Sequence, residues 1–211
     1  RYALAVGRVR FVGEPVAAVV AQTLEQARQA AEAIEVDYDS LPVAVHLADA
    51  TAPGAPLMCE ELGDNIAAEM RHGDAKATAA AFAAAKHVVR LNIANQRLSA
   101  LALEPRSVLH TYDAESGRLT IRMSSQMPSG LRDTVCGALN LPKAQCRVIV
   151  GDVGGGFGMK TGAYPEDVAV AFCCRALKQP VKWIADRGEE FLSAGHGRDV
   201  DSVAELALDA N

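Results

Sequence analysis

Positive charge is in deficit in this chain. Its 21 Lys and Arg against 26 Asp and Glu leave a formal charge of -5 at pH 7, whereas nucleic-acid binding calls for a basic face. No apolar run approaches the roughly 20 residues of a membrane span. Cysteine is sparse too. Cys59, Cys136, Cys146, Cys173 and Cys174 are odd in number, and no two are spaced as Cys-x-x-Cys. That excludes a disulfide scaffold and reads as buried free thiols in a reducing, cytoplasmic setting, rather than metal or iron–sulfur ligation. The five histidines are scattered, with no pair at metal-ligand spacing. The acidic balance leaves one possibility open, because backbone amides can build an anion site without basic side chains.

What remains is an ordinary globular composition, with half of the 211 residues hydrophobic and 22% charged. A chain of this size holds one large or two small domains. It begins at Arg1 rather than Met and ends within Leu206-Ala207-Leu208-Asp209-Ala210-Asn211, so both ends read as cut from a longer chain.

The richest stretch is Gly151-Asp152-Val153-Gly154-Gly155-Gly156-Phe157-Gly158-Met159-Lys160, half of it glycine. Glycine costs folding entropy, so such a run implies positive φ or a backbone that something approaches closely. It lies between an apolar strand, residues 146–150, and a helical pattern starting near Pro165. Phosphate-loop spacing fails: counted from Gly154, both the P-loop and the Gly-x-Gly-x-x-Gly patterns require glycine where Met159 stands. A plain glycine-rich strand-to-helix connection and a ligand-facing turn carrying Phe157 both remain open.

Read in order, residues 1–45 form a β-β-α-β unit. Its strands fall at 9–11, 16–21 and 34–38, and its helix at 24–33 is capped by Thr23. Residues 46–64, containing Thr51-Ala52-Pro53-Gly54-Ala55-Pro56, form a linker. A second domain then runs over 65–211. It opens with a short strand at 66–72 and an alanine-rich helix at 75–85 behind Asp74, read as closely packed. Strands at 87–95, 106–112 and 119–123 follow, then a helix at 129–139. Gln126 sits where a strand stops and a helix starts, a common place for a ligand-facing side chain, although an exposed glutamine is the commoner case there. A helix at 166–177 has apolar positions Val168, Ala171 and Phe172 at helical spacing, and a strand at 181–184, a short helix through Phe191 and a last strand close the chain. Glu189, Glu190 and His196 read as solvated charges.

Four motifs occur in one order: Leu103-Glu104-Pro105-Arg106, Ser125-Gln126-Met127-Pro128, Gly154-Gly155-Gly156-Phe157-Gly158-Met159-Lys160 and Val181-Lys182-Trp183 with Asp186-Arg187. Together they resemble the large, molybdopterin-binding subunit of the xanthine dehydrogenase / aldehyde oxidase / aerobic carbon monoxide dehydrogenase family. Gly13-Glu14-Pro15-Val16-Ala17 resembles the trailing half of that family's hammerhead domain. The resemblance implies an α+β fold: the trailing part of an α/β-hammerhead domain, then the first part of a molybdopterin-binding domain.

It also implies a molybdenum-pyranopterin cofactor, often extended by a cytosine nucleotide in bacteria. Oxidative hydroxylation of an aldehyde or N-heteroaromatic would send electrons through iron–sulfur clusters and FAD on partner chains. Gln126 matches the glutamine that hydrogen-bonds the metal's oxo ligand. Gly155 and Gly156 fall in the cofactor loop, and Phe157 and Gly158 match residues whose backbone lies beside the molybdenum ligands without side-chain ligation. Thr161 stands where purine-oxidising members carry a glutamate. The family's catalytic base lies beyond Asn211, so this chain offers none and resembles about a quarter of a subunit, inactive alone. A binding or scaffold module that kept the fold, and a carbon monoxide dehydrogenase large-subunit fragment, stand as alternatives.

Overall fold

The computed structural model describes residues 2–210. In chain order its elements are α1 (Leu24–Glu32), α2 (Leu47–Ala50), α3 (Ala75–Ala84), β1 (His87–Asn95), β2 (Leu98–Ser99), β3 (Ser107–Asp113), β4 (Arg118–Met123), α4 (Pro128–Leu139), β5 (Cys146–Ile149), α5 (Pro165–Leu177), β6 (Val181–Ile184), α6 (Arg187–Ser193), β7 (His196–Gly197) and β8 (Val200–Leu208). The fold is α+β, as the sequence implies. The chain forms two compact units, neither continuous in sequence. One joins the part up to Val36 with Leu98–Gly197, and the other joins Asp37–Arg97 with the part from Arg198 on.

The first unit is built on a four-stranded sheet in the order β5-β4-β3-β6. The turn through Asp113 and Gly117 makes β3 and β4 an antiparallel hairpin. The crossover through α4 returns the chain parallel, as β5 beside β4. Alternation sends Val108 and His110 of β3, and Leu119 and Ile121 of β4, to the buried face. There they meet Leu131, Val135 and Cys136 of α4 and Val170, Ala171 and Cys174 of α5. The thiols are free, three buried and two half-buried. Burial, with Cys136 beside it, pushes the Cys146 thiol up to about 12.

Of the three apolar positions expected on α5, Ala171 is fully buried and Val168 packs against the core, but Phe172 does not turn inward. Asp167, Val170, Ala171 and Cys174 face inward, while Phe172 is 61% exposed. The small Ala171 and Cys174, both fully covered, let the helix come close to the strands, where a phenylalanine would hold it off.

α1 begins as expected, with a reciprocal capping box between Thr23 and Gln26. The strands expected at 9–11, 16–21, 34–38 and 66–72 do not form. Their alternation is present, but among the described residues they have no ladder partner, and an extended segment without one is not a strand. Around the first of these segments the Ala5 N–H donates to the Pro15 carbonyl at 2.8 Å, the Glu14 N–H to the Phe11 carbonyl at 3.2 Å and the Arg10 N–H to Glu14 Oε2 at 2.6 Å.

In the second unit β1 and β8 pair over nine residues, His87 against Leu208 through Asn95 against Val200. Neither strand buries a residue, and α3, expected to pack closely, buries none either. No helix of the described residues is long and apolar enough to cross a membrane.

Candidate functional site

The glycine-rich loop leaves β5 and ends in a single 3-10 turn, Met159–Thr161. Two of its glycines are required by close approach. A Cβ on Gly154 would lie 2.5 Å from the Glu104 Cβ, and one on Gly156 would lie 2.5 Å from the Gln126 Oε1. Gly155 and Gly158 have φ of +102° and +87°. Phe157 is the unusual member: a bulky residue at φ +49°, 75% exposed, and so held in a sparsely populated conformation with its ring outward. A Cβ on Gly158 would meet nothing within 4 Å, so the backbone there is open.

Gln126 stands between β4 and α4. Its N–H donates to the Lys160 carbonyl at 2.9 Å. Its side-chain Oε1 accepts from the Gly158 N–H at 3.1 Å and the Lys160 N–H at 3.2 Å. Both partners are donors, which fixes that end of the amide as the oxygen. The Nε2 makes no hydrogen bond among the described residues and points a donor out of an exposed side chain. The structure therefore brings Gln126, Gly156, Phe157 and Gly158 together.

Both ends of the loop are fastened to Glu104. Its Oε2 accepts from the Gly154 N–H at 2.7 Å, the Ser124 hydroxyl at 2.7 Å and the Lys160 ammonium at 2.9 Å. Lys160 is 3% exposed and donates also to the Glu104 carbonyl at 2.9 Å and to Ser124 Oγ at 3.0 Å. Partial burial pushes the Glu104 carboxyl up, but bonds from Ser124, Lys160 and Gly154 outweigh it and leave it below its ordinary range. Thr161 is exposed, with its hydroxyl turned back to donate to the Gly158 carbonyl at 2.7 Å.

Behind the loop lies a buried ionic cluster. Arg106 reaches Glu190 through Nε at 3.1 Å and its own N–H at 2.8 Å, and Ser193 Oγ at 2.5 Å. It closes on Glu166 at 2.5 Å as an ion pair without hydrogen-bond alignment, and its guanidinium lies 3.9 Å over the Tyr164 ring. Tyr164 OH donates to the Met159 carbonyl at 2.7 Å and accepts from the Gly195 N–H at 3.0 Å, which links this cluster to the loop. Burial raises Glu166 despite Arg106, and pushes Asp167 up to about 6. Glu190 is thus not a solvated charge: 2% exposed, it is the partner of an arginine 84 residues earlier. No local spacing announces such a pair. His196 is exposed, its Nε2 2.9 Å from the Phe191 carbonyl.

No group of three or more His, Cys, Asp or Glu among the described residues could hold a bare metal ion. What the loop offers is backbone, one exposed aromatic ring and one amide donor.

Comparison with known proteins shows the family of the chain. Residues 58–211 match the molybdopterin cofactor-binding domain, and residues 1–42 match the aldehyde oxidase and xanthine dehydrogenase a/b hammerhead domain. The gamma subunit of the 6-hydroxypseudooxynicotine dehydrogenase complex of Paenarthrobacter nicotinovorans is 35% identical over 207 residues, which is 98% of this chain and 26% of that one. The carbon monoxide dehydrogenase large chain of Hydrogenophaga pseudoflava is 34% identical over 216 residues, 97% of this chain and 27% of the other. Among solved structures, quinoline 2-oxidoreductase from Pseudomonas putida 86 superposes with a TM-score of 0.89 at 36% identity, covering 98% of this chain and 26% of its own. The chain therefore spans about a quarter of the length of these relatives. It belongs to the molybdopterin cofactor-binding domain family of molybdenum oxidoreductase large subunits, with part of an a/b hammerhead domain ahead of that domain.

Proposed function

We propose that this chain supplies one wall of the molybdopterin site in the large subunit of a molybdenum hydroxylase acting on an aldehyde or N-heteroaromatic. Residues 1–45 would be its hammerhead portion, 46–64 a linker and 65–211 the opening portion of the cofactor domain. The observation that carries this reading is the state of Gln126. Two loop amides hold its Oε1, so the carboxamide is fixed in orientation and its Nε2 is left as a free donor beside the open backbone of Phe157 and Gly158. A preorganised donor beside a close-approach loop suits a cofactor that carries its metal in its own organic ligand.

A molybdenum-pyranopterin fits these residues: Gln126 would donate to a polar ligand of the metal, and Gly155, Gly156, Phe157 and Gly158 would give the backbone against which the cofactor lies. Bound there, the cofactor supplies the two-electron oxidation by which a C–H bond and water become C–OH, two protons and two electrons. Gln126 holds a donor in place before the reaction, so no reorganisation is needed at the reacting centre. Thr161 adds no carboxylate for a ring nitrogen to bond, which favours a less polar substrate than a purine. The general base, the iron–sulfur clusters and the FAD belong to the rest of the subunit and to partner chains, and a cytosine nucleotide on the pterin is in keeping with the bacterial relatives.

In the full-length enzyme Gln126→Ala should lower kcat by about a hundred- to a thousandfold, the usual loss for one preorganised donor, while protein yield holds. A rate within twofold of the parent refutes the assignment. The 211-residue chain alone should retain no stoichiometric molybdenum and oxidise neither aldehydes nor N-heterocycles. One wall cannot offset the ordering of a large ligand. Turnover by the isolated chain above a cofactor-free control would contradict this.

A further inference from the structure

We infer that Lys160 is a positioning residue for Gln126: its buried ammonium, with Glu104 and Ser124, closes the glycine loop and so sets the direction of the Gln126 amide donor. The inference rests on the function proposed above and adds a residue to it.

Lys160 touches Gln126 twice through its backbone, by its N–H to Oε1 at 3.2 Å and its carbonyl to the Gln126 N–H at 2.9 Å. Its side chain runs the other way, into the interior. There three donors meet three acceptors, the Glu104 carbonyl, Glu104 Oε2 and Ser124 Oγ, at 2.9, 2.9 and 3.0 Å. An ammonium has three N–H groups, so none is left over. Lysine is rarely buried to this degree, and a buried charge is tolerated when it is paired and fully hydrogen-bonded.

The arrangement does more than neutralise a charge. One oxygen, Glu104 Oε2, holds the start of the loop at Gly154, its end at Lys160, and the end of β4 at Ser124, two residues before Gln126. Separation of the loop ends, the position of Gln126 along the strand and the direction of its side chain are thereby tied to one point. A neutral side chain at 160 would leave Glu104 as an uncompensated carboxylate. It would free the Lys160 backbone to shift, and with it the amide that helps to orient Gln126. Tyr164, with Arg106 over its ring, braces the same turn from behind, but its hydroxyl reaches Met159 and not Gln126.

The test is Lys160→Met in the full-length holoenzyme, alone and combined with Gln126→Ala. Expected for the single variant is a kcat lower by roughly ten- to a hundredfold, the scale of a slightly misplaced group, with KM changed far less and molybdenum per subunit as in the parent. Amide exchange at Gly158, followed in the apo and the holo protein, should quicken by about tenfold or more as its bond to Oε1 opens. In the Gln126→Ala background Lys160→Met should cost no more than about twofold further, since residues acting as one unit are not additive. Full repetition of the loss in that background, or unchanged Gly158 exchange, overturns the positioning role. Should Lys160→Met fail to fold, Ser124→Ala removes one of the three acceptors and is judged by the same exchange and the same double-variant comparison. A damaging Gln126→Ala beside a harmless Lys160→Met overturns the role of Lys160 alone. A silent Gln126→Ala overturns the functional reading as well, since nothing then remains to be positioned.

Discussion

Gly156→Ala separates what the glycine loop contributes to folding from what it contributes to the site. A Cβ at 156 would lie 2.5 Å from Gln126 Oε1, 2.6 Å from its Cδ and 2.9 Å from its Cγ. The obstacle is the end of a flexible side chain, and Gly156 has no positive φ that would strain an alanine. Folding can therefore accept the methyl by swinging the glutamine away. Doing so opens the two bonds from the Gly158 and Lys160 N–H groups to Oε1. Two such bonds are worth about 1 kcal/mol each, and reduced freedom of the unfolded chain returns about 0.4 to 1 kcal/mol. A net loss near 1 kcal/mol follows, small against typical domain stability. The rate should suffer far more, because the displaced amide no longer aims its donor, and the fall should approach the hundredfold or greater loss expected of Gln126→Ala. The comparison is denaturant midpoint against kcat for Gly156→Ala and Gly158→Ala in the full-length enzyme. At Gly158 no atom obstructs a methyl, but φ is +87°, so alanine there should cost about 1 to 2 kcal/mol in strain and move Gln126 little. If Gly156→Ala loses stability by several kcal/mol while its rate per folded enzyme stays within a few fold of the parent, the loop is a structural connection and the reasoning fails.

Acid stability should show two opposed slopes. Burial lowers His110 from 6.5 to about 4, so the folded state keeps it neutral, and it contributes stability above pH 6.5 that is lost as pH falls toward 4. At 1.36 kcal/mol per unit this is about 3 kcal/mol. Asp167, raised from 3.8 to about 6, acts in the other direction: its contribution is complete below 3.8 and lost as pH rises through 6. His110→Leu should therefore make the fall in stability from pH 6.5 to 4 shallower than the parent's, and Asp167→Asn should make it steeper. Urea midpoints across that range check both, and a His110→Leu slope equal to the parent's refutes the assignment. Thr161→Glu breaks the Thr161 bond to the Gly158 carbonyl and should shift kcat/KM from an aromatic aldehyde toward xanthine. Efficient xanthine oxidation by the parent would contradict the substrate class, and an unchanged ratio in the variant would show that position 161 does not set it.

Where a signal is local, the sequence carries it. The cap of Thr23 over α1, the stop of β4 before Gln126, and the glycine run after β5 are each written in neighbouring residues. The strands expected before residue 40 illustrate the converse. Alternation states which face a segment would bury, but only a partner makes it a strand, and none lies among the described residues. On α5 the ambiguity is different. Val168 and Ala171 can be continued at helical spacing by Phe172 or by Cys174, and spacing cannot tell which the sheet will accept. Size decides in favour of Ala171 and Cys174 over Phe172. Glu190 was hidden for a third reason. An acid on a short helix reads as solvated until the fold brings it to Arg106, and that meeting depends on β6, which pairs with β3 and leads into α6.

The site itself divides along the same line. Its polar tip was legible because a glutamine at a strand end and glycines in a row are conspicuous, and four motifs in one order are far more specific than any one of them. The part that makes the tip rigid was not. Glu104 lies at the head of the first motif and Lys160 at the foot of the third, and each alone reads as an ordinary charge beside a glycine loop. Only in three dimensions does Glu104 Oε2 collect Gly154, Ser124 and Lys160, so that a loop rich in glycine is held without being flexible. Glycine is needed where the backbone must pass Glu104 and Gln126 closely, and it would leave the loop loose on its own account. The buried charge pair offsets that looseness. Preorganisation here belongs to the combination, with close approach supplied by residues that have no side chain and rigidity supplied by two that have long ones.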